Sequence, residues 1–393
     1  MRSPKDWKQP CPNPECKYYT LTGRGNVSAV STYSTQSGKR RIFTCKECGT
    51  SFSETRDTVF YDLRTPEEKV IMVLKMFLIR ADLSGVCFVF GITEETALMW
   101  LKRAARQADA INVHLMRELF VTEIQLDEMW NFIKRKCAED STPTGESPET
   151  CEDGRQWIWI SFAAEFRLIL TTFVGPRTSE SALSLIRKTA EAVRGVPCFF
   201  SDGFSSYLSA LIAVYHQIVT FPHTGERGRP RDPVAEPHSD LVYGQIIKEK
   251  KSCCLNKEKK SCCLKALKKR ILCGAERLGK LGLKVSTSLI ERLNLTLRQS
   301  LAPLVRKGLG FSKDRELMRR RVTFFQVFYN FSRPHRSLRV PLPENQRCSQ
   351  GAIHTKWLPR TPGMAAGITN HIWSFRELLT VKFELIHNQS ISG

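Results

Sequence analysis

The chain lacks any run of 18 or more apolar residues, so no helix that crosses a membrane is expected and no membrane partner. Its first residues, MRSPKDWKQPC, lack the apolar core of an export signal, and no secretion is expected. Acidic residues are scarce beside basic ones: 39 Asp+Glu against 60 Lys+Arg, a formal net charge of +21 and a pI near 9.6. That imbalance favours a polyanionic partner, nucleic acid ahead of a membrane surface. Cysteine, by contrast, is plentiful, with 14 residues among 393. In a chain of this length they do not make a secreted disulfide scaffold, and their pairing at short spacing points to metal in a reducing cytoplasm. A hydrophobic content of 41% and a charged content of 25% are ordinary for a globular protein, here long enough for two or three domains.

Two cysteine pairs open the chain. Cys11 and Cys16 are separated by four residues, Cys45 and Cys48 by two, with Gly49 following. The intervening residues alternate Thr, Val, Ser and Tyr between glycine turns, which predicts short strands. Two knuckles on a small ribbon offer four thiolates to a tetrahedral Zn²⁺. So small a ribbon buries little core, and the metal would supply most of its folding energy.

Residues 66–118 read as helical. Pro66 starts a helix to about Arg80, with Val70, Val73, Leu74, Phe77 and Leu78 on one face. Ala81–Phe90 gives a second helix, Gly91 a turn, and Thr93 caps a third helix through Ala108 carrying Lys102, Arg103 and Arg106. A helix, a glycine turn and a capped basic helix predict a helix-turn-helix with the last helix, and those three cations, on DNA.

The next segment, VTEIQLDEMWNFI at 121–133, is a strand with two adjacent carboxylates. Alternation places Ile124, Leu126, Glu128, Trp130 and Phe132 on one face and Gln125, Asp127 and Met129 on the other. Carboxylates in an apolar strand are costly unless they meet a cation or a donor. Asp127 is therefore a metal-ligand candidate, whereas Glu128 is expected to point away and pair with a cation under the sheet. A hairpin follows at Gln156–Ala163 and Arg167–Val174, then a helix at Ser179–Val193 and a strand from Pro197 into Asp202. A helix at Ser205–Val214 and a short strand at Gln217–Phe221 complete the order β, β, β, α, β, α, β. This predicts an α/β fold: a ribonuclease-H-like mixed sheet with an acid on its first strand and another at the end of its fourth.

Two segments interrupt this order. Residues 137–154 hold six acids, no bases and many Pro, Gly, Ser and Thr, a loop kept away from nucleic acid. Residues 222–240 read as a linker, and Leu241–Ile247 as a further strand. Lys248–Lys284 carries thirteen Lys/Arg and three Glu, with Lys-Ser-Cys-Cys-Leu occurring twice, and reads as a solvated basic insert with a tandem duplication. Beyond it, STSLIERLNLTLRQS (286–300) is a helix with Ile290, Leu293 and Leu297 as its apolar stripe. Glu291, Asn294 and Arg298 align beside that stripe, one metal ligand and two phosphate-side donors. Residues 301–339 are basic with interleaved aromatics, which suits backbone tracking on DNA; the tail from 345 has no assigned mechanism.

The stretches LDEMWNF (126–132), FSDGFSSY (200–207) and IERLNLTLRQSLAPLVRKGLGFSKDRELM (290–318) resemble the DDE transposases of bacterial insertion sequences, in the lineage of the first-described insertion element. The resemblance implies a zinc ribbon at 1–60, a helix-turn-helix region at 61–118, and a ribonuclease-H-like catalytic domain at 119–340 with insertions at 137–154 and 222–285. A C-terminal tail occupies 341–393. It implies catalytic acids at Asp127, Asp202 and Glu291 that hold Mg²⁺ or Mn²⁺, with Asp127 bridging two ions. Asn294 and Arg298 would support the DNA, and Cys11, Cys16, Cys45 and Cys48 would hold structural Zn²⁺. The implied activity is cleavage and strand transfer on double-stranded DNA, by a homo-oligomer on the nucleoid of a prokaryotic cytoplasm. Two other readings compete: a ribonuclease-H-like nuclease or resolvase without strand transfer, and a decayed copy that only binds DNA as a regulator.

Overall fold

A computed structural model describes residue 7 and residues 9–133, 154–220, 232–251, 263–305, 310–342 and 356–383. The acidic loop at 137–153 and most of the duplicated Lys-Ser-Cys-Cys-Leu segment lie outside the described residues.

The N-terminal ribbon is a three-stranded antiparallel sheet of β1 (Val27–Thr35), β2 (Gly38–Cys45) and β3 (Ser51–Ser53). Among the described residues its own apolar core is Val27, Phe43 and Phe52, with Trp7 against Phe43. Three helices follow. In α1 (Glu67–Met76) Pro66 stands at the N-cap, which suits a residue without an N–H to leave unpaired. This helix stops four residues short of the expected Arg80. The chain tightens into turns there, with the Leu78 and Ile79 N–H groups bonded three residues back, and Arg80 at φ 69° donates its N–H to the Ser300 carbonyl at 2.7 Å. Asp82 caps α2 (Leu83–Phe90) and Gly91, at φ 57°, closes it, a left-handed position that favours glycine. Thr93 caps α3 (Glu94–Leu115) as the sequence predicts, but α3 runs seven residues past Ala108 because Ile111 is buried on its inner face.

The central sheet has six strands. β4 (Glu123–Ile133), β5 (Gly154–Ala163) and β6 (Leu168–Gly175) form an antiparallel meander, with Asp127 opposite Ile160. The chain crosses through α4 (Ser179–Ala192) to β7 (Cys198–Asp202), which lies parallel to β4 on its other side. Next come α5 (Ser206–Val214), and then β8 (His216–Val219) with β9 (Val234–Pro237), a separate two-stranded hairpin. The expected strand at Gln217–Phe221 thus does not join the sheet; β8 pairs with β9 instead and is largely exposed, Ile218 included. The fifth strand is β10 (Val242–Lys251), parallel to β7, whose residues Val242, Tyr243, Gln245 and Ile246 are buried. The sixth, β11 (Cys263–Cys273), pairs antiparallel with β10, so the basic insert supplies an edge strand rather than only a solvated loop. The spatial order is β11-β10-β7-β4-β5-β6. Gly274, at φ 67°, turns the chain out of β11 where a Cβ would strike the Leu241 carbonyl, and leads into α6 (Ala275–Lys280).

Helices cover both faces. α5 sits under the Glu128 face of β4, and α7 (Ser288–Ser300) over the Gln125 face. α8 (Arg315–Val327) leans on β6, where Gln326 and Asn330 donate to backbone carbonyls of Ile169 and Leu170. After a two-stranded pairing of β12 (Val340–Pro341) and β13 (Trp357–Leu358), the tail forms α9 (Pro362–Ala365) and α10 (Phe375–Thr380). Sequence reading assigned this tail no role; it is a strap. Trp373 stacks on Phe331, Phe375 meets Phe324 and Phe328, and the Trp373 N–H donates to the Phe331 carbonyl. From there Arg376 pairs with Glu67 and Glu68 of α1, and the Leu379 carbonyl accepts from the Val59 N–H. Gln107 of α3 donates to the Val381 carbonyl, and Lys382 reaches Gln9 and the Glu54 carbonyl at the ribbon.

Candidate metal centres

The alternation of β4 decides what surrounds its two carboxylates. On the upper face Gln125 accepts from the Ile290 N–H at 2.9 Å, which seats the first turn of α7 on the strand. One helical turn on, Asn294 Nδ2 donates to Asp127 Oδ2, and Arg298 Nε lies 3.1 Å from the Met129 sulfur. On the lower face Glu128 is almost fully enclosed. Arg177 donates to its Oε1 through Nε at 2.9 Å and through Nη2, and Tyr207 of α5 donates to Oε2 at 2.9 Å. The Arg177 guanidinium is itself held over Trp157 and Phe204. Glu128 therefore has the cation under the sheet that the strand period requires.

Parallel pairing with β4 brings the end of β7 alongside, so that carboxylate oxygens of Asp127, Glu128 and Asp202 all lie within 4.8 Å of one another. Opposite faces of the strand thus do not keep Glu128 distant from the other two acids. Asp202 is set by a local turn in which its Oδ1 accepts from the Phe204 N–H at 3.2 Å. Burial first, and then the carboxylates of Glu128 and Asp202, push Asp127 up to about 7. Burial and Asp202 likewise raise Glu128, with Arg177 and Tyr207 opposing. Three crowded, partly desolvated carboxylates are a donor set suited to a hard divalent cation. Asn294 adds a further donor: its Oδ1 is buried with no hydrogen-bond partner among the described residues.

Glu291 lies close enough to add to the upward push on Asp127 but is not part of the compact trio. Its Oε1 accepts from Lys248 of β10 at 2.5 Å and from the Thr287 hydroxyl at 3.3 Å. Lys248 had no assigned role in the sequence, since it opens a run of lysines that reads as a solvated insert. A cavity of about 520 Å³ lies elsewhere, lined by residues including Asp109, Thr172, Lys188 and Arg319, and none of the four acids borders it.

The second cluster is made of sulfur. Cys11 and Cys16 come from the turn before the ribbon, Cys45 from the end of β2 and Cys48 from the turn after it. Their Sγ atoms all lie within 4.8 Å, with Cys11–Cys48 at 3.6 Å and Cys16–Cys45 at 3.9 Å. Four sulfurs about 2.3 Å from one zinc ion would stand about 3.8 Å apart, and the residues fit that ion. Hydrogen bonds with Thr50 bring the Cys48 thiol down to about 6, while burial raises that of Cys11.

The three cations expected on α3 divide. Lys102 and Arg106 are exposed. Arg103 is turned inward, its Nη1 donating to the carbonyls of Val59 and Tyr61, so it ties α3 to the preceding segment. The first turn of α3 carries Glu94 and Glu95, which complement the helix dipole.

No protein-family model matches the chain, and no curated protein matches it. Among solved structures it is similar to a strand-transfer complex of Mos1, at 9% identity over 39% of this chain and 55% of that chain, TM-score 0.16. It is also similar to a Mos1 transposase paired-end complex with the left transposon end and to a Mos1 mariner paired-end complex with Mn. Each of these shows 9% identity over 39% of this chain and 57% of that chain, TM-score 0.16. The chain spans little more than half the length of these chains, and a likeness this slight carries no argument about its reaction.

Proposed function

We propose that this chain is a DNA transposase of the DDE type, built from a zinc ribbon, a helix-turn-helix region and a ribonuclease-H-like domain. The observation that carries the reading is the meeting of Asp127 and Asp202 on adjacent parallel strands, with the Glu291 helix laid across them. When bound there, Mg²⁺ or Mn²⁺ ions supply an activated water and neutralise the leaving oxygen of a phosphodiester. Asp127, Asp202 and Glu291 would hold the metal, and Asn294, whose Nδ2 donates to Asp127 Oδ2, orients the Asp127 carboxylate. Glu128 is held below by Arg177 and Tyr207. The cysteine cluster would hold Zn²⁺, and the exposed Lys102 and Arg106 of α3 would meet the phosphate backbone, as the net charge of +21 favours. Two element ends have to be cut together, so the working form is a dimer or larger.

The test is cleavage and joining by the full chain with Mg²⁺ on duplex DNA carrying the inverted repeats that flank its reading frame. Specific cleavage followed by joining to a target plasmid supports the reading. Cleavage without joining makes the chain a nuclease, and end binding without cleavage makes it a regulator.

A further inference from the structure

We propose that Lys248 is a DNA-phosphate contact of the carboxylate site, held in reserve by Glu291 until a cation takes that carboxylate. The inference rests on the reading of this site as a phosphodiester-cleaving centre. Ile246 of β10 is the register partner of Asp202, so Lys248, two residues on, emerges from the same strand face at the open end of the site. The Lys248 and Glu291 side chains are both nearly half exposed, at 45% and 46%. An ion pair so exposed is worth little, and gives way readily to a divalent cation on a hard oxygen donor.

The consequence is a change of partner at one place. With Glu291 bound to Lys248, that fourth acid stands apart from the trio and the ammonium is occupied. With Glu291 drawn to a cation, the ammonium is freed on a flexible four-carbon stem with three donors, beside four carboxylates that otherwise repel a phosphate. Arg177 cannot take this part, because it lies on the opposite face against Glu128. The loaded site thus exposes a cation where the substrate's charge arrives.

The test uses the purified full chain with Mn²⁺ as the probe, reading binding by electron paramagnetic resonance and nicking of supercoiled plasmid at saturating Mn²⁺. Lys248→Gln is expected to bind Mn²⁺ roughly two- to fivefold more tightly, since it removes a competitor of exposed-pair strength. The same variant is expected to nick about tenfold more slowly or worse, and Lys248→Arg to recover most of that rate. Unchanged Mn²⁺ binding by Lys248→Gln overturns the exchange, and undiminished nicking overturns the phosphate contact. Asp127→Asn run in parallel separates the two levels: if it nicks like the parent chain, the reading of the whole site fails, whatever Lys248 does.

Discussion

The four cysteines and the three clustered carboxylates are gathered within the same 4.8 Å, yet the two groups stand on opposite foundations. The sulfurs come from two turns of a ribbon whose remaining core is three apolar residues and a tryptophan. The carboxylates come from strands well apart in sequence, on a six-stranded sheet with an extensive buried core. In the first, a cation would hold up the fold. In the second, the fold holds acids together against their repulsion, and a cation relieves what the fold imposes.

The largest separation between the two should come from removing one ligand of each. Cys45→Ser should abolish zinc content and leave the ribbon protease-sensitive, a loss on the order of 10 kcal/mol for that unit. DNA end binding should go with it, while the main thermal transition of the sheet stays close to the parent value. A ribbon that stays protected without zinc breaks the comparison. Asp127→Asn should do the reverse. Cleavage should fall about a hundredfold or more, with the melting temperature unmoved or raised because a repelling charge is gone. A clear drop in melting temperature would show that Asp127 is part of the scaffold.

A smaller effect is expected beneath the sheet. Arg177→Met leaves the buried Glu128 with Tyr207 as its remaining donor, a cost of about 2 kcal/mol in chemical denaturation. Glu128→Gln added to that variant should return part of the loss, and failure to do so would mean the pair is not what the substitution disrupts.

The smallest effect is in pH. Unfolded, Asp127 releases its proton near the ordinary carboxylate value of about 4; folded and metal-free, it holds it up to about 7. Between those values the folded chain binds the extra proton, so stability should decline as pH rises across that window. Melting curves of the metal-free chain should show this slope, and Asp127→Asn should flatten it. A stability that climbs over the same range would contradict the crowding of the three acids.

Much of this arrangement was legible from residue patterns. The spacing of Cys11, Cys16, Cys45 and Cys48, the cap at Thr93, the turn at Gly91 and the two faces of β4 are local or periodic signals: the four sulfurs meet, Thr93 caps α3, Gly91 closes α2, and Gln125 and Glu128 face opposite sides of β4, although Glu128 still lies among the clustered acids. What was not legible depends on partners far along the chain. The short run Gln217–Phe221 and the run at Val242–Ile247 look alike as strands, and only the burial of Val242, Tyr243 and Ile246 beside β7 selects the second. The turn after α1 is held at Arg80 by the Ser300 carbonyl, and Arg103 turns inward to the carbonyls of Val59 and Tyr61. Lys248 was masked by its lysine-rich neighbours, and its partner Glu291 lies 43 residues further on.

The strap formed by the tail has a consequence for the order in which the molecule comes together during synthesis. Arg376 and Glu67 are 309 residues apart in sequence, and the Val59–Leu379 and Gln107–Val381 bonds span comparable distances. The ribbon and the three helices leave the ribosome before the tail; the ribbon has a small core of its own, whereas the helices share theirs with the sheet. Their final seating against the sheet waits until residues 373–382 have emerged. Until then, the part proposed to find DNA has been synthesised while its tie through the tail to the part proposed to cut it is unmade.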